Sequence, residues 1–280
     1  MNFETKKVIL ICGLPRSGTT FLNKIFKDKG YPSIGESWFL PFLGNLINKN
    51  EQINLVDKYF HRSINELDID KSILLQKLSL EFFNSFNSNV PIVDKTPQNL
   101  HYIKSFLHND EFLSIIIERN LSEVILSMLN TWSNGNFLKW DLQSKSFDES
   151  VAALSELKKI SKQDNKNVVY INYDEILNLA ESIPENSQKF NLKESNFGDP
   201  YQKGSIRNQK KYDSINHFKF FFMRHKLSKF KSRFENLEDL CEIKLKVRLS
   251  LLQDFVDIST YAISKVIDLF KIRYLYRLFS

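Results

Sequence analysis

The sequence predicts an α/β fold, a parallel sheet flanked by helices with a helical C-terminal extension, and three observations carry this. Short runs rich in Ile, Val and aromatic residues recur at residues 6–13, 90–94, 112–118 and 167–172, the composition of strands. Helix-length segments separate these runs, and strands alternating with helices make a parallel sheet covered on both faces. The first run also passes straight into a glycine-containing turn and then a helix starting near Gly18.

Taken in order, the helical segments fall at residues 54–84, 97–107, 121–129 and 149–162. Residues 178–212, rich in Asn, Ser, Lys and Pro, read as mostly loop. From residue 236 the chain reads as helical again, with Ile263, Val266, Ile267, Phe270, Tyr274 and Leu278 in a stripe at helical spacing. The expected organisation is one domain over residues 1–212, with residues 213–280 a basic helical extension packed on it.

Composition narrows the classes. With 280 residues, 42% of them hydrophobic and 24 of them Phe, the chain has material for a core and is not a disordered protein. No apolar run approaches the ~20 residues that cross a bilayer, and the N-terminus lacks a signal-peptide core, so a cytoplasmic protein is expected. Cys12 and Cys241 form neither a disulfide framework nor a CxxC zinc pattern, and none of the five His makes an i, i+4 pair. No metal is expected. Splitting the chain after Lys210 leaves charges balanced before it and the whole excess of +6 after it. Residues 216–234 interleave Lys219, Arg224, Lys226, Lys229, Lys231 and Arg233 with six Phe and no acid. Such a stretch suits nucleic acid, an anionic lipid surface or an acidic substrate. It also suits a helix whose Phe residues are core and whose Lys residues face water.

The informative motif is the turn Gly13-Leu14-Pro15-Arg16-Ser17-Gly18-Thr19-Thr20. Two glycines five apart, followed by hydroxyls, between a strand and a helix, make a P-loop-like frame whose backbone N–H groups cradle a phosphate. Thr19 stands where a Walker-type loop carries the Lys that reaches the β and γ phosphates, and the positive group is Arg16, inside the loop. Asp94 and Glu118 end strands as a magnesium-holding acid would, but each is followed at once by a cation, Lys95 and Arg119. Two cations at the phosphate pocket make a magnesium site less necessary.

GLPRSGTTFL resembles the 5′-phosphosulfate loop of sulfotransferases that use 3′-phosphoadenosine 5′-phosphosulfate (PAPS), which would place Arg16, Ser17, Gly18, Thr19 and Thr20 on that group. Arg119 and Ser127, an Arg at a strand end and a Ser eight residues on, are similar to the pair that holds the 3′-phosphate in that family. Asp94-Lys95-Thr96-Pro97 and Gly35-Glu36-Ser37-Trp38 resemble segments of its carbohydrate and tyrosyl-protein branches, where the glutamate is the general base and the lysine steadies the transition state. The resemblance implies those roles for Glu36 and Lys95. The phenol and steroid branch uses a histidine instead, and no His lies between Arg16 and His61. Residues 168–177 are similar to the family strand that brings Tyr173 against the adenine. Residues 203–208 resemble the loop that closes over the nucleotide, which implies roles for Lys203, Gly204 and Arg207.

The expected activity is transfer of the sulfonyl group of PAPS to a hydroxyl, on a saccharide or glycolipid, with adenosine 3′,5′-bisphosphate (PAP) as product and no metal. Nucleic acid is not an expected partner, and the basic C-terminal region leaves a peripheral membrane contact open. Two other classes remain at this point: a P-loop nucleotide kinase or hydrolase with a degenerate loop, and a non-catalytic adaptor whose basic C-terminal region binds membrane or nucleic acid.

Overall fold

The apolar run near the N-terminus becomes the middle of the sheet. Val8–Gly13 (β1) is buried at every position. It pairs in parallel with Ile92–Asp94 (β3) on one side, Leu10 opposite Asp94, and with Phe112–Glu118 (β4) on the other. Ser33–Gly35 (β2) lies outside β3 and Val168–Asn172 (β5) outside β4, so five parallel strands run in the order β2-β3-β1-β4-β5. Inner strands of a parallel sheet are covered on both faces, which is why β1 reads as an unbroken apolar run and β4 departs from one only at Ser114 and Glu118, instead of alternating. The computed structural model describes residues 3, 5–48, 63–64, 68–132, 137–161, 166–186, 214–215, 217–247 and 259.

The helices are Thr19–Asp28 (α1), Phe39–Asn48 (α2), Lys71–Asn84 (α3), Leu121–Trp132 (α4), Phe137–Ser161 (α5), Ile176–Ser182 (α6) and His217–Arg233 (α7). Met1–Arg119 with Ala152–Arg207 form one compact unit, and Asn120–Val151 with Asn208–Ser280 a second. In the first, Ile9, Ile11, Val93, Ile115 and Ile117 line one face of the sheet and pack with Leu22 and Phe26 of α1 and Ile176 and Leu179 of α6. On the alternate positions, the Phe112 ring lies 4.6 Å from that of Phe106 and 6.4 Å from that of Phe83 in α3. Phe39 of α2 stacks on Phe82 of α3 with centroids 3.8 Å apart. Asp70 starts α3 by accepting from the N–H groups of Ser72 and Ile73, satisfying two first-turn donors.

In the second unit, α7 buries Met223, Leu227 and Phe230, and the Phe230 ring meets Phe147 of α5 at 5.8 Å. Its buried Lys226 pairs with Asp148 at 2.9 Å. Ser214–Ile215 (β6) pairs in parallel with Lys246–Val247 (β7). The expected helix over 216–234 is present, but its aromatics divide: Phe230 is core, while Phe218 and Phe221 are exposed, the latter 61%.

The four expected strands come out within two residues of expectation, and β2, β6, β7, α2 and α6 are additions. The segment 97–107 forms two 3-10 turns, Pro97–His101 and Ile103–Phe106, instead of one helix. α5 starts at Phe137, twelve residues before the expected segment. Of the helix expected from residue 236, the described part holds the 3-10 turn Glu238–Cys241 and then β7. The stripe from Ile263 to Leu278 and most of the expected loop over 178–212 lie outside the described residues. No described helix is long and apolar enough to cross a membrane.

Candidate active site

Because the five strands are parallel, their C-terminal ends share one edge, and each end delivers one candidate segment. The Gly13–Gly18 turn follows β1, Glu36 follows β2, Lys95 follows β3, Arg119 follows β4 and Tyr173 follows β5. The chain runs outward from β1 to β2, returns through β3, and then crosses β1 to reach β4 and β5. Open α/β sheets take ligands at such a reversal, beyond the strand ends.

The turn after β1 depends on its glycines. Gly13 and Gly18 have φ of 153° and 111°, values that side chains disfavour. A Cβ on Gly13 would sit 2.7 Å from the Ile117 carbonyl oxygen, and one on Gly18 2.6 Å from the Tyr173 ring. Arg16, between them, is itself in the left-handed region at φ 69°. Gly18 precedes α1 without a side-chain cap, which leaves the positive helix end to an anion. Ser17 is fully buried, and its Oγ has no hydrogen-bond partner. A buried hydroxyl in that state is costly, and an anion oxygen in the turn would satisfy it. Thr19 is buried and Thr20 exposed.

Next to the turn, β2 and β3 end in a knot of polar contacts. Lys95 donates its backbone N–H to the Gly35 carbonyl at 2.8 Å, and its Nζ lies 2.5 Å from Glu36 Oε1. Asp94 is fully buried. Its Oδ2 accepts from Ser37 Oγ at 2.8 Å and Asn99 Nδ2 at 3.1 Å, and its Oδ1 from Thr96 Oγ1 at 2.7 Å and the Ser37 N–H at 3.4 Å. Burial pushes its pKa up, the four donors pull it back, and it rests above the ordinary carboxylate value.

Past β4, Arg119 donates from Nη1 to the Arg16 carbonyl at 3.2 Å and lies over the Tyr173 ring, 4.3 Å from its centroid. One guanidinium thus ties the turn to the segment after β5. Glu118 pairs with Lys158 of α5 at 3.1 Å. The two strand-end acids are therefore engaged by protein groups, Asp94 by neutral donors and Glu118 by a lysine.

Arg16, Ser17, Gly18, Thr19, Thr20, Glu36, Lys95, Arg119 and Tyr173 all belong to this edge. Ser127, half-buried, lies on α4 in the second unit. Lys203, Gly204 and Arg207 lie outside the described residues. Sequence reasoning gave Asp94 no role beyond a magnesium-type acid and a place in the segment 94–97, and gave Ser37 and Asn99 no role. The available signal was the placement of a hydroxyl residue directly after Glu36 and another directly after Lys95.

The model of the sulfotransferase family matches residues 8–183, from the start of β1 to just past α6. Among solved structures, a gluconokinase from Sinorhizobium meliloti 1021 is similar at 15% identity and a TM-score of 0.36, over 65% of this chain and 92% of that one. Comparison with curated proteins finds no match. The family match spans more than half of the chain and takes in the C-terminal ends of all five strands of the parallel sheet, so the chain belongs to the sulfotransferase family, enzymes that transfer sulfonyl groups.

Proposed function

We propose that the protein transfers the sulfonyl group of PAPS to a hydroxyl on a saccharide or glycolipid, with Glu36 as general base. The observation that carries this reading is the arrival of the turn, Glu36, Lys95, Arg119 and Tyr173 at one sheet edge, one from each strand end. The residues present fit the nucleotide: the turn supplies an uncapped helix start, a buried hydroxyl without a partner and Arg16. The 3′-phosphate falls to Arg119 and, by its spacing in the sequence, to Ser127, with Tyr173 toward the adenine.

PAPS, when bound, supplies the sulfonyl group and leaves as PAP. Glu36 takes the proton of the acceptor hydroxyl as its oxygen bonds to sulfur and the bond from sulfur to the 5′-phosphate oxygen breaks. Arg16 and Lys95 offset the charge that builds on that departing oxygen, with the turn amides and the hydroxyls of Thr19 and Thr20. A transferring sulfonyl group bears less negative charge than a phosphoryl group, so cations held by the protein suffice. The pairing of Lys95 with Glu36 supports this division of labour, since an anion entering beside Lys95 competes for its charge and frees the carboxylate to act as a base.

Two features support the acceptor and its setting. The exposed Phe218 and Phe221 share α7 with exposed Arg224, Lys229 and Lys231, a surface suited to an anionic or lipid-linked acceptor or to a membrane face. Cys12 and Cys241 are free and buried, as in a reducing cytoplasm.

The test is incubation of the protein with PAPS and a panel of saccharides and glycolipids, following PAP release by chromatography and acceptor mass. Acceptor-dependent PAP release with one added sulfonyl group is expected. Binding of magnesium ATP with no affinity for PAP would overturn the reading.

A further inference from the structure

We infer that Asp94 is a positioning residue, a buried carboxylate that holds the Glu36 and Lys95 segments in one register. The inference rests on the roles proposed above for Glu36 and Lys95. Its geometry is independent of them. Ser37, the residue after Glu36, gives Asp94 both its hydroxyl, at 2.8 Å, and its backbone N–H, at 3.4 Å. Thr96, the residue after Lys95, gives its hydroxyl at 2.7 Å. Asn99, in the 3-10 turn beyond, gives its amide at 3.1 Å. A single side chain therefore takes hydrogen bonds from the immediate neighbours of both members of the ion pair.

Secondary donors tighten the same knot. The Trp38 N–H reaches Thr96 Oγ1 at 3.4 Å, and the Phe39 N–H reaches Ser37 Oγ at 3.1 Å. β2 is only three residues long and shows a register irregularity against β3 between Ser33 and Gly35. Gly35 itself sits at φ 70°. The sheet ladder alone thus gives the Glu36 segment little anchorage, and Asp94 supplies what the ladder lacks. All four of its donors are neutral, so the carboxylate sets geometry without spending a cation that the reaction uses. Hydrogen bonds to a charged acceptor are stronger and shorter than neutral ones, and a reacting pair displaced by about 1 Å loses on the order of 100-fold in rate.

Asp94→Asn keeps the size but turns one of two acceptor oxygens into a donor that faces other donors. The test has two readouts on this variant. Hydrogen exchange without nucleotide should quicken in peptides covering residues 35–39 and 95–99 and stay unchanged in β1 and β4. In turnover, kcat should fall about 100-fold while PAP affinity stays within about 3-fold, the split expected when an interaction acts in the transition state. Should Asp94→Asn fail to fold, Ser37→Ala and Thr96→Val each remove one donor and are read in the same two ways, with Thr96→Ser restoring both. Unchanged exchange, or altered exchange with wild-type kcat, would overturn the inference. Failure of the wild-type protein to bind PAP would instead overturn the PAPS reading, and the exchange arm would then decide the Asp94 network by itself.

Discussion

Lys95 Nζ and Glu36 Oε1 lie 2.5 Å apart, the lysine side chain 1% and the glutamate 18% exposed. Each therefore offsets the desolvation of the other, and removing either charge leaves a nearly buried partner. Glu36→Gln is the mildest probe, because the amide oxygen can still accept from Lys95. It should lower kcat by about 100- to 10,000-fold, the range of a general base, and leave PAP affinity nearly intact. Steady-state rates with PAP titrations check this, and full activity would remove Glu36 from the mechanism.

Arg119 is held from two sides, by the Arg16 carbonyl and by the Tyr173 ring. Arg119→Ala should weaken PAP binding by about 10- to 100-fold, the worth of a charge-assisted hydrogen bond. Adenosine 5′-phosphate, which lacks the 3′-phosphate, should lose much less. Arg119→Lys should not restore PAP affinity, since an ammonium neither forks nor stacks as a guanidinium does. Calorimetric titration of both ligands measures the difference, and equal losses would mean that Arg119 does not read the 3′-phosphate.

Gly18→Ala meets two obstacles at once, a φ of 111° and the Tyr173 ring 2.6 Å from the new Cβ. The expected loss of stability is about 2–4 kcal/mol, read from urea unfolding. Adding Tyr173→Ala should recover part of it by removing the collision, with the backbone strain remaining, so the two changes should be non-additive.

The two thiols should be inert in the folded protein. Burial pushes the Cys12 thiol far up and that of Cys241 up to about 11, so neither supplies thiolate at neutral pH. Native protein treated with iodoacetamide should stay unmodified by mass spectrometry and take up two adducts once unfolded in urea.

Much of this site is legible in the residues themselves. β1 and β4 announce themselves because inner parallel strands are mostly apolar, with Ser114 and the terminal Glu118 the polar positions of β4, and the Gly13 to Thr20 turn carries its chemistry in its spacing. β2 is hidden because Ser33, Ile34 and Gly35 are too few to show a period, and with it went the view that five strand ends each deliver one group. The helix expected at residues 97–107 is two 3-10 turns, in the first of which Asn99 turns inward to Asp94, five residues back, a contact that apolar periodicity does not encode. α7 misleads in a different way: its Phe residues look like core, yet Phe221 faces water while Lys226 is buried against Asp148, a choice made by the partner helix.

The most direct measurement is the thermal midpoint of the protein with PAP, with ADP and with magnesium ATP. A ligand held only by the folded state at about 100 times its Kd adds roughly 2.7 kcal/mol, worth about 5 °C or more in a chain of this size. PAP should raise the midpoint by that amount, ADP by less, and magnesium should add nothing. A shift with magnesium ATP and none with PAP would contradict the assignment of the β1 turn to a sulfonated adenylate.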